Sequence, residues 1–324
     1  MTSSIRRAVA VLGLAVAGAA PAYPWGDEGH EALAVSASRD LTPDARKHVI
    51  GILGSDDLAS ISVWMDHLRE AYVHAGPLAT DPEAMTFTRE FPHNNVWHYV
   101  DLPLGIAAYE PSGPFSRPDD VVHMAEEAVL VLEGKGDPRI TKLQALRMLV
   151  HFVGDEHQPL HVACGYYQLD GSGGVRLVTD PSAAKGLEDD KGGNTLFFGT
   201  SRSSELHWYW DIDVVPKIAN SADVRTLAEA LHKMAAAHGA AWKTGGDHHH
   251  WPEAWATESL VAARTAYAGI KFGAATADPK GGIKRINITL PANYDEVCTP
   301  LAAERLAKAG YHLAEILNAI QWSD

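Results

Sequence analysis

The 324-residue sequence predicts an all-α protein, a single-domain, bundle-like helical fold with at most a short β-hairpin. Three observations carry that expectation. Apolar residues recur at helical spacing through most of the chain, helix-start and helix-stop residues bracket those stretches, and period-two alternation is confined to two short segments. With 46% hydrophobic residues the composition is ordinary for a globular core.

The elements follow in order. Residues 1–22 carry Arg6 and Arg7, an apolar run from Ala8 to Ala20, and Ala20-Pro21-Ala22, which resembles a signal-peptidase site. The run is too short to span a bilayer, so it reads as a removable export signal and the expected location is secreted or periplasmic, with no stable membrane anchor. Cleavage is expected after Ala22 or as late as position 24. Helices are expected at about 28–40, 43–53, 57–75, 118–134, 140–157, 203–218, 222–240, 253–273 and 298–320. Thr42-Pro43 and Thr141 are start signals, because a threonine oxygen accepts from a free N–H and a first-turn proline sacrifices no hydrogen bond. Gly134 and Gly136 flank a stop. Segments 173–179 and 284–290 alternate and suit a short hairpin or edge strands. The Gly- and Asp-rich stretch around 165–189 reads as a long loop insertion. With no internal repeat and no linker, residues 25–324 read as one domain, expected to be monomeric.

The formal charge of −14 becomes more negative by two once Arg6 and Arg7 leave with the leader. So acidic a chain has no broad basic face for duplex nucleic acid, and a phosphate ligand needs locally supplied positive charge, such as a divalent metal. Cys164 and Cys298 are the only cysteines, compatible with one disulfide or with two buried thiols.

The chemistry-bearing motifs are HFVGDEHQPLH at 151–161 and HWYWD at 207–211. Positions four apart share a helix face, so His151 with Asp155, and His207 with Asp211, each present an imidazole and a carboxylate together. Zinc takes such nitrogen and oxygen ligands. His30, Asp66, His98 and His161 extend the candidate set. His157 and Gln158, within the central motif, are expected to orient ligands through hydrogen bonds. Asn194 is expected to shape a turn, and the tract His248-His249-His250 reads as a solvated surface loop, with adventitious metal binding as the alternative.

Read together, these segments resemble the zinc-dependent single-strand nucleases of the S1/P1 type, whose helical fold is shared with bacterial zinc phospholipase C. The resemblance runs through WGDEGH (25–30), WMDHLR (64–69), WHYVD (97–101), HFVGDEHQPLH, DKGGN (190–194), LHWYWD (206–211), WATES (255–259) and AGYHLAEILN (309–318), nearly the whole mature chain. It implies three zinc ions. Asp66, His98, His151 and Asp155 would hold one, and His161, His207 and Asp211 another. Trp25, through its α-amino nitrogen and carbonyl oxygen, would join His30 and Asp155 on the third, with Asp155 bridging two metals. The implied reaction is hydrolysis of single-stranded DNA and RNA to 5′-nucleotides, with 3′-nucleotidase activity, by a metal-bridging hydroxide.

The resemblance also makes Arg69 a phosphate-stabilising cation beside the catalytic Asp66 and Asp155, and makes Tyr99 and Asp101 a base-binding pair. An exposed ion pair is the plain alternative for Arg69, and a core tyrosine with a helix-capping aspartate for the other two. The sequence departs from the family pattern in Tyr23-Pro24, which leaves Trp25 third after a cut at Ala22, and in the long stretch from His161 to Asp190. Two other functions share the ligand set: a zinc phospholipase C, which needs an apolar rim for lipid tails, and a non-catalytic zinc-binding protein, which needs no Arg69.

Overall fold

A computed structural model describes residues 25–323 apart from 75, 171–172, 222 and 279–281. The leader expected over 1–22 lies outside the described residues. Helices α1 (Gly26–Arg39) and α2 (Pro43–Leu53) are followed by a 3-10 turn at Leu58–Ile61, then α3 (Trp64–His74), α4 (Pro82–Glu90), strand β1 (Leu102–Pro103), α5 (Val121–Leu132), α6 (Lys142–His157) and α7 (Pro159–Val162). Next come β2 (Ala163–Cys164), β3 (Tyr166–Leu169), β4 (Val175–Val178), α8 (Pro181–Ala184), β5 (Glu188–Asp189), β6 (Leu196–Phe197) and α9 (Leu206–Trp208). A π-helical turn at Tyr209–Asp213 leads to α10 (Val215–Ile218), α11 (Val224–Trp242), α12 (Trp251–Tyr267), β7 (Lys271–Ala277), β8 (Ile283–Thr289) and α13 (Tyr294–Ala319). Among the described residues no helix is long and apolar enough to cross a membrane.

Helix α6 organises the rest. Its start is fixed by a capping box: Thr141 Oγ1 accepts from the Gln144 N–H at 3.2 Å, and the Gln144 side chain accepts from the Thr141 N–H at 2.9 Å. From Met148 to His157 every residue is buried, so the helix has no solvent face over its last ten residues. It packs on α5, α13, α12 and α3, while α1 packs on α11 and α13. One continuous apolar core, from Trp25 to Ile320, joins these helices. A helix hydrophobic on all sides is buried by default, yet this one brings His151, Asp155, Glu156 and His157 into the interior.

The expected helices are present, with instructive differences at their ends. The span 57–75 divides into the 3-10 turn and α3, and 203–218 divides into short α and π turns. Helix α4 is additional; Asp81 caps it by accepting from the Ala84 N–H at 2.8 Å and Pro82 occupies its first turn, so its signal was in the sequence. Helix α13 begins at Tyr294, ahead of the expected 298, and runs through Pro300. Helix α12 stops at Tyr267. Gly269, at φ 74°, turns the chain, and 271–277 pairs with β8, whose Ile283, Ile286 and Ile288 are buried.

Strands are also more numerous than one hairpin. Segments 173–179 and 284–290 do not pair with each other: β4 pairs with β3, and β8 lies between β6 and β7. The stretch 165–189, expected as a loop, folds into the sheet β4-β3-β5 with α8 inside it. Cys164 and Cys298 are separate buried thiols, which excludes the disulfide. Replacing Thr141 with alanine is expected to cost about 1 kcal/mol in urea unfolding, by removing the cap that starts α6; an unchanged midpoint would show that tertiary packing alone sets the helix start.

Candidate metal centre

Helix α6 contributes His151 and Asp155, α1 contributes His30, α3 contributes Asp66, and the short turn before β1 contributes His98. His161 comes from α7, while His207 and Asp211 come from α9 and the π turn behind it. All eight are buried. They fall into three groups whose ligand atoms lie within 4.8 Å of one another: His30, His151 and Asp155; Asp66, His98 and His151; His161, His207 and Asp211.

Asp155 joins the first two groups. Its Oδ1 lies 3.3 Å from His30 Nε2, and its Oδ2 lies 3.0 Å from His98 Nδ1 and 3.3 Å from His151 Nε2. Asp66 Oδ1 is 3.7 Å from both His98 Nδ1 and His151 Nε2. In the third group His207 Nε2 is 3.1 Å from Asp211 Oδ2, and His161 Nε2 is 3.9 Å from Asp211 Oδ1. Some rings stack face to face, His30 on His151 at 4.2 Å and His161 on His207 at 5.0 Å between centroids.

Backbone carbonyls aim three of these rings. His151 Nδ1 donates to the Ser62 carbonyl, His161 Nδ1 to that of His98, and His207 Nδ1 to that of Gly192, each at 2.7 Å. A carbonyl only accepts, so each contact fixes the proton on Nδ1 and leaves the Nε2 lone pair facing the cluster. Gln158 Nε2 donates to Asp211 Oδ1 at 2.7 Å and orients that carboxylate as expected. His157 does not share this role. It donates to the Val153 carbonyl and pairs with His312 at 2.7 Å, inside the core.

Two glycines make room for the rings, and neither was singled out in the sequence. A Cβ at Gly154 would lie 2.6 Å from His30 Cε1, so the glycine lets α1 and α6 approach at the ligand. Its signal was a glycine inside a helix, a position that costs about 0.5–1 kcal/mol and so needs a packing reason. Gly192, at φ 61°, would put a Cβ 2.2 Å from the Leu160 carbonyl oxygen, so only glycine lets this turn present its own carbonyl to His207. The turn is held by buried Asp190, which accepts from the Gly165 and Gly193 N–H groups and from the Tyr167 and Tyr267 hydroxyls at 2.8–3.1 Å. Asn194 caps the same turn through the Lys191 carbonyl.

The electrostatics suit a cation. His30 Nδ1 and Nε2, Asp66 Oδ2, His98 Nε2, Asp155 Oδ1, His161 Nε2 and Asp211 Oδ2 are buried and make no hydrogen bond. At roughly 1–3 kcal/mol for each, these orphaned atoms together would cost on the order of 10 kcal/mol, comparable with the whole stability of a domain. Burial drives His98 and His161 well below the ordinary imidazole range and also lowers His30 and His151, so these rings are neutral. Burial pushes Asp66 up to about 7 and Asp155 to about 6, with the other acids of the cluster adding to the rise. Neutral imidazoles and crowded carboxyls with free lone pairs fit zinc, which relieves both the repulsion and the missing hydrogen bonds.

Trp25 opens α1 with its backbone in the left-handed region, φ 54°, followed by Gly26 at φ 55°. The indole holds this turn, fully buried against Trp210 and donating from Nε1 to the Gly154 carbonyl at 2.9 Å. The Trp25 carbonyl also accepts the Gly29 N–H.

Arg69 stands at the rim, with Nη1 3.4 Å from Asp66 Oδ1 and the side chain 30% exposed. Tyr99 is half-buried, with the Arg117 guanidinium 5.0 Å from its ring centre. Asp101 precedes strand β1 and is therefore no helix cap; it lies 3.7 Å from Arg117 Nη1. Burial and the neighbouring Asp189 push its carboxyl up to about 7 against the pull of Arg117. Arg117 was not singled out in the sequence, because Tyr99 and Asp101, which tie it to this site, lie 18 and 16 residues away. In the tract 248–250 two histidines turn inward onto buried Glu133, contrary to the expected solvated loop, and only His250 is largely exposed.

Two outcomes check this geometry. Gly154→Ala is expected to displace the His30 ring and lower the zinc retained after dialysis, with the helical circular dichroism signal kept; full zinc content would mean that His30 is not held against Gly154. The two raised carboxyls take stability from the metal-free fold as pH rises from about 4 to 7, because the unfolded carboxyls ionise first, while the lowered imidazoles act in the opposite direction; in the folded protein it is the carboxyl protons that compete with zinc. The zinc-induced rise in Tm is therefore expected to grow across the same interval, and a rise flat in pH would count against these carboxyls as ligands.

Residues 25–321 match the family model described as S1/P1 nuclease. The chain is 25% identical to endonuclease 1 of Arabidopsis thaliana, over 99% of this chain and 96% of that protein. It is 24% identical to nuclease S1 of Aspergillus oryzae, over 92% of each. With nuclease P1 of Penicillium citrinum it shares 29% identity over 42% of this chain and 47% of the relative. The family is zinc-dependent and has the helical fold of phospholipase C type seen here. A match over almost every described residue, carrying the three buried histidine and carboxylate groups, places the chain in the S1/P1 nuclease family and makes it a nuclease.

Proposed function

We propose that the protein is an exported zinc phosphodiesterase that cleaves single-stranded DNA and RNA to 5′-nucleotides and also acts as a 3′-nucleotidase. The observation that carries this reading is the convergence of eight buried ligand side chains, with unsatisfied lone pairs, beside a partly exposed arginine at the rim. Family membership sets aside the non-catalytic reading and favours nuclease over phospholipase C.

Asp66, His98, His151 and Asp155 would hold one zinc and His161, His207 and Asp211 a second. His30 and Asp155 would hold the third, completed by the amino nitrogen and carbonyl oxygen of Trp25 once the chain is trimmed to that residue. Bound zinc supplies Lewis acidity and a hydroxide nucleophile at neutral pH. Asp155, with one oxygen toward His30 and the other toward His98 and His151, is disposed to bridge two of the sites. Arg69 places positive charge where phosphate oxygens gain negative charge in the transition state, a type of contact worth roughly a hundredfold or more in rate. Tyr99 offers a ring face to an unpaired base. Asp101, with a pKa near neutrality, can accept from or donate to the base edge. Paired bases hide both face and edge, which is the physical basis for a single-strand preference. The mature protein, 25–324, is read as a monomeric single domain following an export signal at 1–22.

The test is hydrolysis of a single-stranded oligonucleotide by the mature protein, with a chelator abolishing activity and zinc restoring it. Cleavage of a phosphatidylcholine analogue in place of the oligonucleotide would overturn the assignment. Asp155→Asn is expected to abolish turnover and lower zinc content, and Arg69→Gln to reduce kcat about a hundredfold with zinc retained. Tyr99→Ala should raise KM with both zinc content and fold intact; unaltered kinetics would remove it from the base site. Amino-terminal sequencing of the exported protein is expected to begin at Trp25, and a longer terminus would deny the third zinc its amine.

A further inference from the structure

We propose that Glu133, His248 and His249 form a second metal site, separate from the buried cluster, that takes a divalent ion of the zinc type. Glu133 caps the end of α5 with its side chain fully buried. His248 Nε2 lies 2.8 Å from its Oε1 and His249 Nε2 lies 2.9 Å from its Oε2, with the two rings 4.1 Å apart. The three ligand atoms are within 4.8 Å of one another, an arrangement of two imidazoles and one carboxylate that leaves further positions for water.

A supporting carboxylate is also in place. Asp247 Oδ1 lies 2.9 Å from His249 Nδ1, so it can hold the proton there and turn His249 Nε2 toward the ion; it is 3.6 Å from His248 Nδ1, near enough for attraction but not for a hydrogen bond. Tracts of surface histidine usually bind metal loosely, because each ring must be ordered on binding. Here the ordering is done beforehand: Asp247 also caps the 3-10 turn His248–His250 by accepting from the His249 N–H, and Glu133 accepts from the Gln321 N–H at 3.0 Å. Without metal, a carboxylate flanked by two Nε2 atoms needs protons on both, and His249 then carries two N–H groups as an imidazolium. A divalent ion displaces the His249 Nε2 proton to solvent and requires the His248 proton to move from Nε2 to Nδ1, so the site gains one net positive charge beside the Glu133 and Asp247 carboxylates. Among the described residues Lys135, 2.8 Å from Glu133 Oε2, is the cation that competes for this carboxylate, and its half-exposed flexible stem lets it withdraw to water. His250 points away and pairs with Glu253. The site joins the end of α5, the turn that starts α12 and the carboxyl-terminal tail, so an ion there fastens three segments.

The test uses the full mature protein with the buried cluster loaded, titrated with zinc by calorimetry. One further equivalent is expected in the wild type, absent from the His248→Ala/His249→Ala variant and weakened about tenfold or more in Asp247→Asn, with oligonucleotide hydrolysis the same in all three. No further equivalent in the wild type, or an equal one in the double variant, would overturn the proposal. Should the double variant fold poorly, the wild type decides alone: zinc is expected to shield His248 and His249 from diethyl pyrocarbonate, read by peptide mass spectrometry, while exposed His93 stays reactive. Equal modification with and without zinc would refute the site.

Discussion

The burial of acids and imidazoles on a helix with no solvent face is the constraint from which the rest of the molecule follows. Asp155 sits in the interior of α6 with one carboxylate oxygen unpaired, and the rings of His30, His98 and His151 crowd around it. Neither apolar packing nor hydrogen bonding satisfies such a centre, so the fold is complete only with cations in it. Surrounding helices close over the cluster and leave Arg69 partly exposed at its rim.

That requirement ties remote parts of the backbone to the ligands. The carbonyl of Ser62, ahead of α3, aims His151. The carbonyl of His98 aims His161 and so links two zinc groups through a single residue. The Gly192 carbonyl, on a turn anchored by Asp190, aims His207. Because these aiming groups are main-chain atoms, the site is sensitive to how helices and turns dock and insensitive to which side chain sits at the carbonyl. Gly154 and Gly192 are the exceptions, since a side chain at either would collide with what it serves.

The folded stretch at 165–189 shapes the surroundings of Asp101. It places Tyr166 so that its hydroxyl donates to the Asp101 carbonyl at 2.8 Å, and it brings Asp189 close enough to raise the Asp101 carboxyl. Arg117 opposes that rise from the other side and covers part of the Tyr99 ring. The protonation of Asp101 is thus governed by its burial and by two charged residues, Asp189 and Arg117, that lie outside the motifs of the family resemblance.

The sequence by itself determined the helical class, most helix starts and the paired ligands His151 with Asp155 and His207 with Asp211, because helical period, capping chemistry and i, i+4 spacing are local properties of the chain; His30, Asp66, His98 and His161 were tied to the same centre by the family resemblance. It also carried the cue for α4, in Asp81-Pro82, and for the glycine contact at Gly154. Tertiary structure alone decided the rest. Strand β8 took β6, far away in the chain, as one of its partners, and Cys164 was kept apart from Cys298. His157 went to His312 instead of to the metal ligands, while His248 and His249 turned onto Glu133. Each of these depends on a contact between residues distant in sequence, whose closing is fixed by the packing of whole helices and leaves no periodicity to read.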